Sequence, residues 1–220
     1  MTSDTGGEPP CFAHLLEPDA ATRRDVMSWR KAERARLVEL RRSLPVAARR
    51  VADKLLGQRL DDWLSMSGYS ADDLTIAVYW PIRGEPDLRI WADQWRTLGA
   101  RIVLPVVQDT SAPLIFRLWD GGPPRERGIW NIPVPNASKP VLRPDVIISP
   151  VVGLDNALFR LGNGGGYYDR TLAALRYDRA KAICIGVGYD FLSIPTIYPL
   201  PHDIAMDHAI LVKTDTDQQK

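Results

Sequence analysis

Leu74-Thr75-Ile76-Ala77-Val78-Tyr79-Trp80 is a continuous apolar run rich in β-branched and aromatic side chains, and Pro81 ends it. A helical pattern opens at Pro86, runs through Leu88, Ile90, Trp91 and Trp95, and closes at Gly99. A second apolar run follows at once, Arg101-Ile102-Val103-Leu104-Pro105-Val106-Val107. Short runs without apolar–polar alternation read as strands covered on both faces. Two such strands joined by one helix have the spacing of a right-handed parallel crossover.

The rest of the chain extends this unit. Downstream, residues 114–119 read as a further strand in a hairpin-like excursion, and 121–144, rich in Pro, Gly and Arg, as a long surface connection. Residues 146–152 form another buried strand, a helix is expected over about 167–175, a strand over 181–187, and 209–212 closes the sheet. Upstream, Thr22 is a plausible N-cap for a helix marked by Val26, Trp29, Leu37 and Leu40, and Pro45 suits the first turn of a second helix. The expected architecture is α/β: one three-layer domain over 22–220, with a mostly parallel sheet flanked by helices. An N-terminal arm, residues 1–21, precedes it; its apolar clip at 10–16 either docks on the body or covers a pocket.

Composition sets the outer limits. The 220 residues suffice for a sizeable core, and 45% apolar with 25% charged residues is the balance of a soluble globular protein. A net charge of +1 gives no bulk attraction to nucleic acid or to an anionic membrane. Cys11 and Cys184 show neither zinc-type spacing nor a disulfide framework. Neither a secretory leader nor an apolar stretch of membrane-spanning length is evident, so a cytoplasmic protein is expected, as monomer or homodimer. Arg30, Lys31, Arg34, Arg36, Arg41 and Arg42 crowd the first helix and read as a solvated face. The alternative for them, a non-catalytic nucleic-acid-binding module, is opposed by the near-zero net charge.

The chemistry concentrates in Arg160-Leu161-Gly162-Asn163-Gly164-Gly165-Gly166-Tyr167-Tyr168-Asp169, between a strand and a helix. Glycines there let backbone amides approach an anion, and the helix that follows aims free N–H groups and its positive dipole end at the same point. Arg160 adds a cation suited to phosphate oxygens. The spacing matches neither the dinucleotide fingerprint, because Tyr167 stands where its third glycine belongs, nor a P-loop, which needs Gly-Lys-Ser/Thr. A mere flexible turn is the plainer alternative, but four glycines in five positions exceed what a turn needs. Asp169 and Asp203 are candidates for Mg²⁺, with a helix-start carboxylate and an Asx turn as their ordinary readings. Glu85 lies past the end of the first strand, where α/β folds bind ligands, and suits either a polar heterocycle or the start of the next helix. Trp80, Tyr79, Tyr167 and Tyr168 supply flat surfaces for a ring or for the core. His202 is the one suggestively placed histidine, and no Ser–His–Asp arrangement assembles around it.

Read together, Pro144-Asp145-Val146-Ile147, Gly153-Leu154-Asp155, the glycine loop through Asp169-Arg170, Gly186-Val187-Gly188-Tyr189-Asp190, and His202-Asp203 with Asp207 resemble, in this order, the 5-formyltetrahydrofolate cyclo-ligase family. The resemblance covers roughly residues 23–213. It implies ATP- and Mg²⁺-dependent closure of 5-formyltetrahydrofolate, a reduced folate, to 5,10-methenyltetrahydrofolate, with release of ADP and phosphate. The formyl oxygen would take the γ-phosphoryl group, and the neighbouring folate nitrogen would then displace phosphate. On this resemblance Leu161, Gly162, Asn163, Gly164, Gly165, Gly166, Tyr167 and Tyr168 bind the nucleotide together with Arg30, Arg34 and Arg160. Arg160 and Tyr168 act in catalysis, Trp80, Glu85 and Tyr168 bind the folate, and Asp169 with Asp203 hold the metal. The chain departs from the family pattern at Arg30 (usually lysine), at Val134 and Leu200 (usually acidic), and at Asn163 (more often aromatic or basic). Val134 and Leu200 motivate a rival reading, an ATP-binding paralogue with another small substrate.

Overall fold

A computed structural model describes residues 18–178 and 182–214, so the apolar clip at 10–16 lies outside the described residues. Asp19 starts the first helix. Its carboxylate accepts the Thr22 amide at 2.7 Å, so α1 (Ala20–Ser43) begins ahead of the Thr22 cap read from sequence. Pro45 precedes α2 (Val46–Met66), whose Ala52, Leu56, Leu60 and Leu64 form an i, i+4 stripe with no solvent exposure.

The first crossover forms as its pattern dictates. β1 (Thr75–Ala77) pairs in parallel with β2 (Arg101–Val106), and α3 (Arg89–Thr97) connects them. β1 is shorter than its apolar run: past Ala77 the chain leaves the ladder, although the Val78 amide still donates to the Val103 carbonyl. α3 likewise starts at Arg89 rather than at Pro86. α3 packs on α2 where Gly57 leaves room for Trp91; a Cβ on Gly57 would stand 3.1 Å from the indole.

β3 (Ile115–Leu118) returns antiparallel along β2, as the hairpin-like reading anticipated. The connection after it is more structured than its composition suggested. β4 (Glu126–Arg127) and β5 (Pro133–Val134) make a small antiparallel pair around a tight turn at Ile129–Asn131. β6 (Val146–Pro150) then enters the sheet beside β1. A short hairpin of β7 (Gly153–Leu154) and β8 (Arg160–Leu161) leads to α4 (Tyr167–Tyr177). β9 (Ile183–Tyr189) and β10 (His208–Val212) complete the sheet.

The strand order is β10-β9-β6-β1-β2-β3, and every pairing except β2–β3 is parallel. From β1 the chain crosses by α3 to β2 on one side; from β6 it crosses by α4 to β9 on the other. Right-handed crossovers running in opposite directions place their helices on opposite faces, which makes the three layers. They also make the β1/β6 junction the point where connections diverge, and a crevice opens there beyond the carboxyl ends of the strands. Among the described residues no helix is long and apolar enough to cross a membrane.

Candidate active site

The crevice at the β1/β6 junction is a cleft walled by segments distant in sequence, α1 among them. Trp80 and Glu85 come from the loop after β1, the 129–134 turn region closes one flank, the glycine loop forms the floor, and His202 and Asp203 stand at the far end. Arg30, Arg34, Trp80, Glu85, Arg160, Leu161, Gly162, Asn163, Gly164, Gly165, Gly166, Tyr167, Tyr168, Asp169 and Asp203 all line it. The structure therefore brings together every site residue proposed from the sequence.

The glycine loop has the backbone that its composition demands. Gly164 and Gly166 take left-handed φ values of +99° and +64°, and Gly166 is the N-cap of α4 without any side-chain cap. The first amides of α4 thus point to the cleft with no side chain in competition. At Gly165 the constraint is space: a Cβ would lie 2.5 Å from the Tyr167 ring.

Two arginines meet this loop. Arg34 donates from Nε to the Gly162 carbonyl at 2.6 Å. Burial, and then the neighbouring Arg30 charge, push its pKa down, which is the electrostatic situation an incoming anion relieves. Arg160 is buried and donates to Ser149 Oγ at 2.7 Å and to Asp169 Oδ2 at 3.2 Å. Its guanidinium carbon stands 4.6 Å from the centre of the Tyr168 ring, and its Nε is buried without a hydrogen-bond partner. Burial pushes the Tyr168 hydroxyl pKa up, so this ring is neutral at physiological pH.

The carboxylates are more engaged than the sequence suggested. Asp203 receives Arg30 on both oxygens, at 2.5 and 3.2 Å, and the Leu200 amide at 2.6 Å. Arg30 also donates to the carbonyls of Ile197 and Tyr198. In the structure these two side chains, read from the sequence as a phosphate cation and a metal ligand, form a buried ion pair that ties α1 to the 197–203 loop. Asp169 is looser, held by Arg160 and by the Ile204 amide at 3.3 Å. Among the described residues no group of three or more His, Cys, Asp or Glu side chains is gathered for a metal ion.

Glu85 is buried on the opposite wall. Its Oε2 accepts the Ile82 amide at 3.0 Å, and its Oε1 lies 3.5 Å from both Arg41 Nη2 and Asn163 Nδ2. Burial raises its pKa, and Arg41 opposes that rise.

Two contributors were hidden in the sequence. Arg41 is completely buried, not on a solvated face. The clue lay in spacing, since Arg30, Arg34, Leu37 and Arg41 fall on one helical stripe with apolar Leu37 among them. Trp130, in the connection read as surface loop, reaches back over the glycine loop. Its ring meets Tyr167 edge-on at 5.7 Å, and both Trp130 and Asn131 hold positive φ, 58° and 59°. A bulky aromatic at positive φ is a strained placement of the sort concentrated at functional sites.

The family model for 5-formyltetrahydrofolate cyclo-ligases matches residues 26–212. The chain belongs to that family. It is 34% identical over 188 residues to a 5-formyltetrahydrofolate cyclo-ligase of Mycolicibacterium smegmatis, covering 82% of this chain and 92% of that one. An Escherichia coli protein of the same name is 34% identical over 124 residues, 53% of this chain and 65% of its own. Solved structures agree in fold. A 5,10-methenyltetrahydrofolate synthetase from Mycoplasma pneumoniae superposes with a TM-score of 0.64 at 25% identity, covering 82% of this chain and 97% of that chain. One from Aquifex aeolicus gives 0.64 at 26% identity, covering 84% and 90%. Membership of this ligase family makes the chain an enzyme, and the mostly parallel sheet with flanking helices is shared with those structures.

Proposed function

We propose that this protein closes 5-formyltetrahydrofolate to 5,10-methenyltetrahydrofolate at the expense of ATP, releasing ADP and phosphate. The observation that carries the reading is that one cleft gathers two kinds of binding chemistry. It presents the start of α4, the glycine loop, Arg34 and Arg160, a set suited to phosphate oxygens. It also presents a buried carboxylate, Glu85, with Trp80 and Tyr168, a set suited to a flat heterocycle with N–H donors.

ATP would supply the phosphoryl group that makes the formyl oxygen a leaving group. The protein's own share is positioning and charge stabilisation. Gly162, Gly164, Gly165 and Gly166 with Leu161, Asn163 and Tyr167 hold the phosphates. Arg160 faces the oxygen on which negative charge develops, and Tyr168 fixes the Arg160 plane from below. Asp169 fits the role of carboxylate for a nucleotide-borne Mg²⁺, which needs few protein ligands. Asp203 is committed to Arg30, so both act on the site by holding α1 in place. Trp80, Glu85 and Tyr168 receive the reduced folate. A cytoplasmic enzyme, monomeric or homodimeric and independent of nucleic acid or membrane, goes with this reading.

Val134 favours a second reading, an ATP-binding paralogue with another small substrate. Where the family usually has an acidic residue, this apolar side chain lines the cleft. Absorbance of the methenyl product, followed with 5-formyltetrahydrofolate, ATP and Mg²⁺, separates the two. Nucleotide binding without product formation would overturn the cyclo-ligase reading and leave the paralogue.

A further inference from the structure

The loop that carries Glu85 is gripped from three directions. Arg41 Nε, from α1, donates to the Arg83 carbonyl at 3.0 Å. The Tyr189 hydroxyl, at the end of β9, donates to the Gly84 carbonyl at 3.3 Å. The Tyr79 hydroxyl, just past β1, donates to the Pro86 carbonyl at 2.7 Å. The loop is also pressed onto the helix: Arg83 and Gly84 both take positive φ, 49° and 76°, and a Cβ on Gly84 would stand 3.0 Å from the Arg41 carbonyl. Only a backbone free of Cβ fits that approach.

Arg41 does more than hold backbone. Its Nη1 donates to the Val151 carbonyl at 3.2 Å, which fixes the guanidinium between two loops of the cleft. Its Nη2 is buried, has no hydrogen-bond partner, and lies 3.5 Å from Glu85 Oε1. A fully buried cation with an unsatisfied donor is rare in folded proteins and calls for a role. A buried carboxylate beside it is the group whose charge it can govern.

We propose that Arg41 is the positioning residue of the substrate carboxylate: it keeps Glu85 ionised and holds Oε1 as an acceptor facing the cleft. This deepens the functional reading above and rests on Glu85 as the carboxylate that meets the folate. An ionised Glu85 accepts hydrogen bonds on both oxygens, whereas a protonated one presents an O–H to the N–H groups of the heterocycle. Burial favours the protonated form, and Arg41 is the largest influence against it. The other groups that face Glu85 are Arg83, an exposed residue of the same loop that assists Arg41, and Asn163, Tyr79 and Tyr168, which are neutral.

Arg41→Met and Arg41→Lys, each alone and combined with Glu85→Gln, test this. The Glu85 carboxyl carbon is titrated by NMR, with Glu85→Gln identifying its resonance, and kcat and KM for 5-formyltetrahydrofolate are followed against pH. In Arg41→Met the Glu85 midpoint and the acid limb of kcat/KM should move up together by about one pH unit or more. KM for the folate should rise on the order of tenfold, while nucleotide affinity stays within about twofold. Added to Glu85→Gln, Arg41→Met should cost little more, because the two side chains act as one unit. Arg41→Lys restores charge but not the grip on two carbonyls, so it should keep the acid limb near that of the parent and still raise KM. Should Arg41→Met fail to fold, Arg41→Lys carries the same comparison, with nucleotide binding as the check on its fold. An unmoved Glu85 midpoint in folded Arg41→Met, or an unchanged folate KM in Arg41→Lys, overturns the proposal. Losses that add fully in the double variant do the same. If the parent neither binds nor turns over the folate, the functional reading falls, and the Glu85 titration still decides the part played by Arg41.

Discussion

Replacing Gly165 with alanine places a methyl group where the structure leaves no room for one. The new Cβ would stand 2.5 Å and 2.7 Å from two carbons of the Tyr167 ring and 3.4 Å from the Trp130 indole. Tyr167 opens α4 and its ring packs edge-on against Trp130, so relief by swinging the ring would break that contact in the cleft wall. Gly165 does not have a left-handed φ, so steric overlap rather than backbone strain sets the cost. Overpacking of this kind costs about 2 kcal/mol. If the loop relieves it by leaving the cradle conformation, nucleotide affinity drops about 30-fold, since each 1.4 kcal/mol is a factor of ten. A domain of this size should lose about 4–8 °C in melting temperature if the strain stays in the fold. Calorimetric titration with Mg²⁺ and a non-hydrolysable ATP analogue, beside a thermal melt, distinguishes these two outlets. Gly165→Ala with Tyr167→Ala removes the ring that the methyl strikes and should recover much of whichever was lost. Unchanged affinity and melting temperature in the single variant would refute the view that this close approach shapes the cradle.

Two further outcomes follow from the same geometry. Asp169→Asn keeps the acceptor for the Ile204 amide but removes the charge opposite Arg160; turnover should fall on the order of 10²-fold and need more Mg²⁺, and an unchanged Mg²⁺ titration would exclude Asp169 as the metal carboxylate. Asp53, whose Oδ1 accepts the Asp87 amide, is pushed up to about 6, chiefly by burial. A folded-state pKa above the unfolded value of about 3.9 gives stability that is fully present below that value and is lost as pH rises through the folded value. The melting temperature should therefore decline between about pH 4 and pH 6, Asp53→Asn should flatten that decline, and an unaltered slope in the variant would show that another group is responsible.

The sheet was legible because its strands are buried on both faces. Residues 74–80, 101–107 and 146–152 have no polar face to confuse the period, and the intervening helix fixes parallel pairing. The glycine loop was legible because positive φ and close approach leave few residue types available. The buried arginines of α1 were not, since a sequence shows their charge but not the carbonyls and carboxylates, between 42 and 173 residues away, that accept it. Arg30, read from the sequence as a phosphate-binding cation, also holds Asp203 and the carbonyls of Ile197 and Tyr198, which only the fold reveals. The β4–β5 pair escaped for a related cause: two-residue strands carry no period, and Trp130 gains its position from a strained turn that the sequence gives no sign of.

The stripe of arginines on α1 also orders events during synthesis. Arg34 waits for Gly162, 128 residues later, and Arg30 for Asp203, 173 residues later. A ribosome extends the chain at about 5–20 residues per second, so the first helix emerges several seconds before its partners exist. Until then those two guanidinium groups lack the partners they hold in the fold, whereas Arg41 meets the Arg83 carbonyl after only 42 residues. The cleft is therefore completed from one end of α1 to the other: the Arg41 contacts become available first, and those of Arg34 and Arg30 only when residues 162 and 203 have been made.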